Sequence, residues 1–310
     1  MPELPEVTTT VNGLRGVLIG LRFVDVWTDI SKKEQKIKQF KNTIKDERFF
    51  KQFKKGVVNQ KVISVERRAK NILINISGSK TILIHLKMTG HLLFGKYVFD
   101  RRENKWTPDK KEKEPLHDPY NRFIHVVFSL SNGKHLVMSD SRKFGKITMM
   151  DTKDLDKNIH LGGVGPEPLE KNFTWKNLKE RLLLGGNKNI KTVLMDQTII
   201  AGIGNIYSDE MLWLSSIHPE SKPKSLKDKE FVLLYKNMKK VLSKGIDFGG
   251  DSMSDYRNID GERGNFQNHH NVYRKNKEKC GKKDCKGVIM RKVINGRSAH
   301  FCNKHQKLYV

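Results

Sequence analysis

Residues 280–305 read CGKKDCKGVIMRKVINGRSAHFCNKH. Cys280, Cys285, Cys302 and His305 form a C-x4-C-x16-C-x2-H pattern. Zinc takes four thiolate or imidazole ligands in a tetrahedron, and two close pairs separated by a hairpin supply them. The residues between the pairs fit that reading. VIMRKVI is a strand run, Asn295-Gly296 is the strongest short hairpin signal, and RSAHF returns to the third ligand. Gly281 and Gly287 give the knuckle conformational freedom. With four protein ligands, the site predicted for one Zn2+ is structural and leaves no open position for catalysis. The competing reading is three unrelated thiols and a surface histidine.

The hairpin lies in a strongly basic tail. Residues 272–310 hold 12 Lys and Arg against 2 acids, a net of +10 within a chain total of +26. Such clustering favours a polyanionic partner and makes Arg297, just past the hairpin tip, a candidate phosphate contact. The plain alternative for Arg297 is a solvated turn residue. All three cysteines fall in the last 31 of 310 residues, which fits a metal site in a reducing compartment, and cytoplasmic placement is expected. No apolar run is long enough to cross a bilayer, and MPELPEVTTT carries acid where a signal peptide carries base.

The length suits two domains. Residues 5–18 place Val7, Val11, Leu14 and Leu18 at helical spacing behind Pro2 and Glu3. From about 57 to 150 the pattern changes to short apolar runs, VVNQKVISV, NILINIS, KTILIHL, RFIHVVFSL and KHLVMSD, punctuated by Ser77-Gly78 and Asn132-Gly133. That is the signature of a β-sandwich or barrel. The polar stretch 95–121 reads as a surface insertion between strands and not as a site. GGVGPEPL at 162–169 reads as a linker. Helices are predicted at about 174–184, 188–196, 205–215 and 227–245, and 245–266 reads as a loop with five glycines.

In AGIGNIYSDEMLW, Gly202 and Gly204 allow close backbone approach, and Asn205 is a good N-cap for the helix that follows. A helix N-terminus binds phosphate through its free N–H groups, although an ordinary capped helix has the same sequence. HLKMTG (85–90) and DSRKFG (140–145) each end a strand with large side chains followed by glycine. Met88 alone reads as core. Lys70, in VERRAKNILI, sits at a strand mouth, where a lysine is usually solvated.

Taken in order, MPELPEV, RRAKNILI, HLKMTG, DSRKFG, GPEPL, KTVLMDQTIIAGIGNIYSDEMLW, GGDSMSDYRNIDGERGNFQ and the terminal hairpin with GRSAHFC resemble the formamidopyrimidine-DNA glycosylase family, which includes the endonuclease VIII branch. The resemblance runs essentially end to end. It implies an α+β fold with a leading helix and β-sandwich at 1–155, a linker at 156–170, and a helix–two-turns–helix unit at 171–268 whose loop 245–266 covers the lesion. A zinc hairpin at 269–310 completes it. The implied activity is that of a monomeric glycosylase and abasic-site lyase acting on damaged duplex DNA.

Under the same resemblance, Pro2 is the nucleophile and Glu3 its neighbouring acid. Lys70 and Arg297 complete the catalytic set, Lys70 meeting the lesion's phosphate. Met88, Arg142 and Phe144 fill the gap left by the extruded nucleotide, and Lys191 and Asn205 contact phosphate. Leu4 and the long 245–266 loop resemble the branch that excises 8-oxoguanine and formamidopyrimidines. The alternatives are the branch directed at oxidised pyrimidines and a zinc-bearing DNA-binding protein without catalysis. The chain departs from the usual pattern in five ways: Ala69 replaces a glycine, Ser141 a proline and His305 a cysteine, four residues instead of two separate Cys280 from Cys285, and the 95–121 insertion is longer than in many members.

Overall fold

The computed structural model describes residues 1–33, 40–157 and 161–310, so 158–160 of the expected linker lie outside the described residues. The chain forms two compact units. One comprises Met1–Gly162 with Phe248–Asn265, the other Gly163–Asp247 with Phe266–Val310.

The first unit opens with α1 (Leu4–Leu18), which buries Leu4, Val7, Val11, Leu14 and Leu18 on one stripe. Two four-stranded antiparallel sheets follow. One has the order β1 (Phe23–Thr28), β8 (Ile124–Leu130), β9 (His135–Ser139), β5 (His91–Gly95). The other has β10 (Lys146–Asp151), β4 (Lys80–His85), β3 (Asn71–Ile76), β2 (Val62–Arg68). Because strand side chains alternate, Ile72, Ile74, Ile82, Ile84, Val126 and Phe128 point into one shared core with the α1 stripe. Burying each such side chain contributes about 1.5–3 kcal/mol. The intervening residues Leu73 and Leu83 pack a smaller cluster on the opposite face.

Two parts of this unit differ from the sequence reading. First, the expected strand run begins inside a helix, α2 (Glu47–Val57), capped by the Asp46 carboxylate accepting from Phe49 N–H at 2.9 Å. The β2–β3 ladder starts at Val62, after an isolated bridge of Lys61 to Arg22. Second, the polar stretch 95–121 is folded and packed. It carries a hairpin, β6 (Tyr97–Asp100) with β7 (Lys105–Pro108), and two short 3-10 turns. Tyr97 and Leu116 bury against Leu93, Val127 and Val137, with Trp27 and Trp106 at the edge, so the insertion covers the sheet's outer face.

In the second unit, helices α3 (Trp175–Leu183), α4 (Ile190–Met195), α5 (Asn205–Leu214) and α6 (Asp228–Asp247) surround a core that includes Leu178, Val193, Tyr207, Met211 and Leu234. The final strands, β11 (Ile289–Ile294) and β12 (Arg297–Cys302), pair as a two-residue hairpin, and β12 packs on α5. Asn295 and Gly296 both take positive φ, 46° and 73°, as the turn requires.

Candidate active site

Pro2 is buried although Met1 beside it is 42% exposed. The reason lies in how α1 begins. Glu3 is the N-cap, and its N–H donates to Glu6 Oε2 at 2.7 Å. The other Glu6 oxygen accepts from Asp251 N–H at 2.7 Å. One buried carboxylate therefore ties the helix start, and with it Pro2 and Glu3, to the loop Phe248–Asn265. Tyr256 adds a second tie, its hydroxyl donating to the Glu6 carbonyl at 2.9 Å. Neither Glu6 nor Tyr256 figured among the predicted site residues. Glu6 was legible as the fourth position of a capping box that starts at Glu3.

Lys70 stands at the tip of the β2–β3 hairpin, where Arg68 pairs Asn71 across a two-residue loop. It is 5% exposed and not the solvated lysine that strand-mouth statistics suggest. Ala69 ahead of it has φ +53°, a left-handed conformation that favours glycine. The Arg67 guanidinium donates to the Ala69 carbonyl at 3.0 Å, and Asn71 Nδ2 to the Arg68 carbonyl at 3.2 Å, fixing the turn.

The three proposed wedge side chains come from two neighbouring turns. Thr89 Oγ1 donates to Asp140 Oδ1, joining the turn that carries Met88 to the one that carries Arg142 and Phe144. Asp140 also accepts from Gly145 N–H at 2.7 Å and Arg142 N–H at 3.3 Å. The chain turns at Ser141–Arg142 and does not continue as a strand. With Lys143 at φ +54°, the Arg142 guanidinium carbon sits 4.6 Å from the Phe144 ring centroid. Both side chains are exposed and Met88 is half-buried. Lys45 Nζ holds the turn from behind, donating to the Lys143 carbonyl at 2.5 Å. Burial pushes its pKa down to about 8; Asp140 opposes this, and Lys146 and Lys87 add to it.

In the second unit the cap of α5 is Gly204, not Asn205, which occupies the first helical position. The Oδ1 of Asn205 is buried and has no hydrogen-bond partner among the described residues. The two acids of this helix are buried at 1% exposure and have structural partners. Glu210 accepts from the N–H groups of Asn271, Val272 and Tyr273 at 2.9–3.0 Å. Asp209 accepts from Lys191 and from His300 N–H, the latter at 2.9 Å. Lys191 also donates to the Ser298 carbonyl at 2.8 Å. The resemblance gives Lys191 to a DNA phosphate. At 1% exposure its ammonium links α4 to α5 and the hairpin. Arg297 is exposed, and Lys188, Lys191 and Arg297 border one cleft of about 300 Å3.

The metal reading fits the donor geometry. The donor atoms of Cys280, Cys285, Cys302 and His305 lie within 4.8 Å of one another. Cys280 Sγ is 3.4 Å from His305 Nδ1, and Cys285 Sγ is 3.6 Å from Cys302 Sγ and 3.8 Å from His305 Nδ1. Zinc bonds of about 2.3 Å to sulfur and 2.0 Å to nitrogen give tetrahedron edges of roughly 3.5–3.8 Å. His305 Nε2 faces the Trp213 carbonyl at 3.1 Å, which leaves Nδ1 for the ion. Gly287 is required by space, since a Cβ there would come 2.4 Å from Cys302 Sγ. Gly281 has nothing within 4 Å and no such requirement. Burial pushes the Cys280 thiol up to about 11 in the absence of metal.

A buried Pro-Glu start on a β-sandwich, a helix–two-turns–helix unit and a basic hairpin with a Cys3His cluster define a DNA glycosylase of the helix–two-turns–helix class. Residues 1–147 match the formamidopyrimidine-DNA glycosylase N-terminal domain, and 164–257 match the formamidopyrimidine-DNA glycosylase H2TH domain. The chain belongs to the formamidopyrimidine-DNA glycosylase family. It is 35% identical to the formamidopyrimidine-DNA glycosylase of Pelotomaculum thermopropionicum over 99% of this chain and 100% of that one. It is 34% identical to that of Bacillus subtilis over 99% of each chain. Among solved structures, it superposes on Lactococcus lactis Fpg in complex with abasic-site DNA at TM-score 0.80 and 28% identity, covering 98% of this chain and 99% of that one. The wild-type Lactococcus lactis Fpg (MutM) with N7-benzyl-Fapy-dG DNA gives TM-score 0.79 and 29% identity, covering 99% and 100%. Among the described residues, no helix is long and apolar enough to cross a membrane.

Proposed function

We propose that this chain excises oxidised purines, 8-oxoguanine and ring-opened formamidopyrimidines, from duplex DNA and then cleaves the strand at the resulting site. The observation that carries the reading is the Glu6 carboxylate, which fastens both Glu3 and the loop Phe248–Asn265 at the start of α1. A loop so attached is suited to cover a base delivered to the end of this helix. The names of the relatives and the DNA in the Lactococcus lactis complexes support the same substrate class.

The chemistry starts from the secondary amine that Pro2 presents once Met1 is removed. A terminal amine has a reference pKa of roughly 8, so an appreciable fraction is neutral at physiological pH. Its lone pair attacks C1′ of the extruded nucleotide. The C1′–N bond breaks, the base leaves with its electron pair and a proton, and Glu3 is placed to supply that proton or to open the sugar ring. Loss of the ring oxygen's bond to C1′ leaves an iminium on Pro2. The iminium acidifies C2′–H. Removal of that proton expels the 3′ phosphate, a second elimination expels the 5′ phosphate, and hydrolysis frees Pro2. Extruding the nucleotide costs a few kcal/mol, which Met88, Arg142 and Phe144 offset by filling the gap.

Lys70, Asn205 and Arg297 grip the flanking phosphates. Cys280, Cys285, Cys302 and His305 would hold one Zn2+, which would cross-link the hairpin that carries Arg297.

Borohydride reduction tests the reading. The protein should be trapped covalently on duplexes containing 8-oxoguanine, and Pro2→Gly should abolish the adduct. Trapping on thymine glycol with none on 8-oxoguanine would move the substrate to oxidised pyrimidines. Salt-sensitive duplex binding with no adduct on either would leave a DNA-binding protein without catalysis.

A further inference from the structure

The insertion 95–121 does more than cover a sheet. Its two 3-10 turns, Glu114–His117 and Pro119–Asn121, run along the loop Phe248–Asn265. Asp118 caps the second turn, its Oδ1 accepting from Tyr120 N–H at 2.8 Å. The same carboxylate takes the Arg257 guanidinium in fork geometry, with Nε 3.2 Å from Oδ2 and Nη2 3.3 Å from Oδ1. Arg257 is 2% exposed, and its remaining nitrogen, Nη1, donates to the carbonyls of Ser254 and Tyr256 at 2.9 Å. The Tyr120 ring stacks on it, 4.7 Å from the guanidinium carbon. One arginine thus closes the loop on itself and bolts it to the insertion.

Two further contacts repeat the pattern. Gly261 lies so close to the insertion that a Cβ would stand 2.5 Å from the Pro115 carbonyl oxygen, at φ +84°. Lys113 pairs Asp260 at 3.2 Å. Ser141, in the turn of Arg142 and Phe144, also reaches the loop, donating to Asp255 at 3.3 Å. The loop is therefore tied at Asp255, Arg257, Asp260 and Gly261 to other segments of its own unit.

We propose that the insertion is a brace, and that Asp118, through Arg257, holds the loop Phe248–Asn265 closed before DNA binds and so determines which extruded bases are excised. The proposal rests on the reading that this loop covers the extruded base. Its physical content is preorganisation. A loop ordered in advance costs no ordering entropy when the base arrives, and a rigid cover rejects bases of the wrong outline. Asp118 and Arg257 are positioning residues and touch no substrate. A strand that already lacks its base has nothing for the loop to cover, so its cleavage is independent of the brace.

The test compares the full-length protein with Asp118→Asn, Arg257→Met and the charge-conserving Arg257→Lys on two duplexes, one with 8-oxoguanine and one with a preformed abasic site. Amide hydrogen exchange of residues 250–264 is followed in the free proteins. Asp118→Asn and Arg257→Met should speed exchange across the loop at least tenfold. They should lower kcat/KM for base excision at least tenfold and leave abasic-site cleavage within twofold of the parent. Arg257→Lys should restore part of both losses.

Equal falls on the two duplexes, or unchanged loop exchange in both variants, would overturn the brace. If Arg257→Met does not fold, Asp118→Asn decides alone, since that side chain is partly exposed. A parent protein that releases no 8-oxoguanine but cleaves abasic sites refutes the purine reading. The brace is then decided by loop exchange and by the ratio of thymine glycol excision to abasic-site cleavage.

Discussion

The Lys191 ammonium is hydrogen-bonded to the Asp209 carboxylate with both side chains essentially sealed from solvent, at 1% and 0% exposure. The second Asp209 oxygen accepts from His300 N–H, and Lys191 reaches the Ser298 carbonyl, next to Arg297. Two buried charges thereby fix where the hairpin arginine stands relative to α4 and α5. Removing one partner strands the other, which typically costs 3–5 kcal/mol, whereas replacing both with apolar side chains is often neutral. Lys191→Ala should therefore lower stability by about 3–5 kcal/mol in denaturant melts. Lys191→Met with Asp209→Leu should recover most of it. Duplex affinity measured on the double variant separates the two roles of Lys191. Affinity restored together with stability marks a strut, and affinity still lost marks a phosphate contact.

The Cys3His cluster lies within a tail, residues 272–310, that carries 12 Lys and Arg. Each phosphate contact contributes about 0.9 to the slope of log K against log salt on B-form DNA. Cys302→Ala should lose the metal by elemental analysis, unfold the hairpin and flatten that slope by one or more. His305→Cys should retain one zinc ion, since thiolate and imidazole occupy the same tetrahedral position at similar distance. A Cys302→Ala protein with unchanged metal content would remove this cysteine from the ligand set.

Lys45 makes stability depend on pH with a definite sign. Its folded pKa of about 8 lies below the ordinary 10.5 that applies when the chain is unfolded. Between those values the unfolded chain binds more protons than the folded one, so stability rises with pH. Below pH 8 both states are protonated and the slope vanishes. Lys87 and Lys146, also shifted down by burial, add the same sign. The informative quantity is therefore the difference between parent and Lys45→Met. It should move in the parent's favour from pH 8 to about pH 10 and stay flat from pH 6 to 7.5. Parallel stability curves across the whole range would show that Lys45 is not the titrating group.

Local periodicity made much of this architecture readable, and the misreadings have a common cause. The α1 stripe, the strand runs of the sandwich, the segments that became α3 to α6 and the Asn295-Gly296 hairpin all declare themselves within a dozen residues. Helix α2 hides its repeat, Phe49, Phe50, Phe53 and Val57, among lysines. The insertion looked solvated because its few apolar residues, Tyr97, Trp106 and Leu116, are scattered among charges, yet they converge on strands far along the chain. The loop 245–266 was grouped with the helices that precede it, but residues 248–265 pack with the first unit. Their partners Glu6, Asp118 and Ser141 lie more than a hundred residues away, and no local pattern encodes such pairings. The same holds for Lys191, whose burial follows from the position of Asp209 and not from its own neighbours.

Ala69 offers the sharpest energetic test of the hairpin that presents Lys70. A non-glycine residue in the left-handed region costs about 1–2 kcal/mol. Glycine would remove that cost but lose roughly 0.5–1 kcal/mol through its freer unfolded chain. Deleting the methyl group, here 3% exposed, forfeits about 0.8 kcal/mol more. These contributions nearly cancel, so Ala69→Gly should change stability by less than about 1 kcal/mol despite relieving the strain. Ala69→Val has no compensating gain. Its branched side chain meets the same backbone penalty in a buried turn, and the expected loss exceeds about 2 kcal/mol. Melting curves on the two variants decide the matter. A gain above 2 kcal/mol for Ala69→Gly would mean that strain at this position outweighs the buried methyl, and a silent Ala69→Val would mean the turn relaxes instead of holding Lys70 in place.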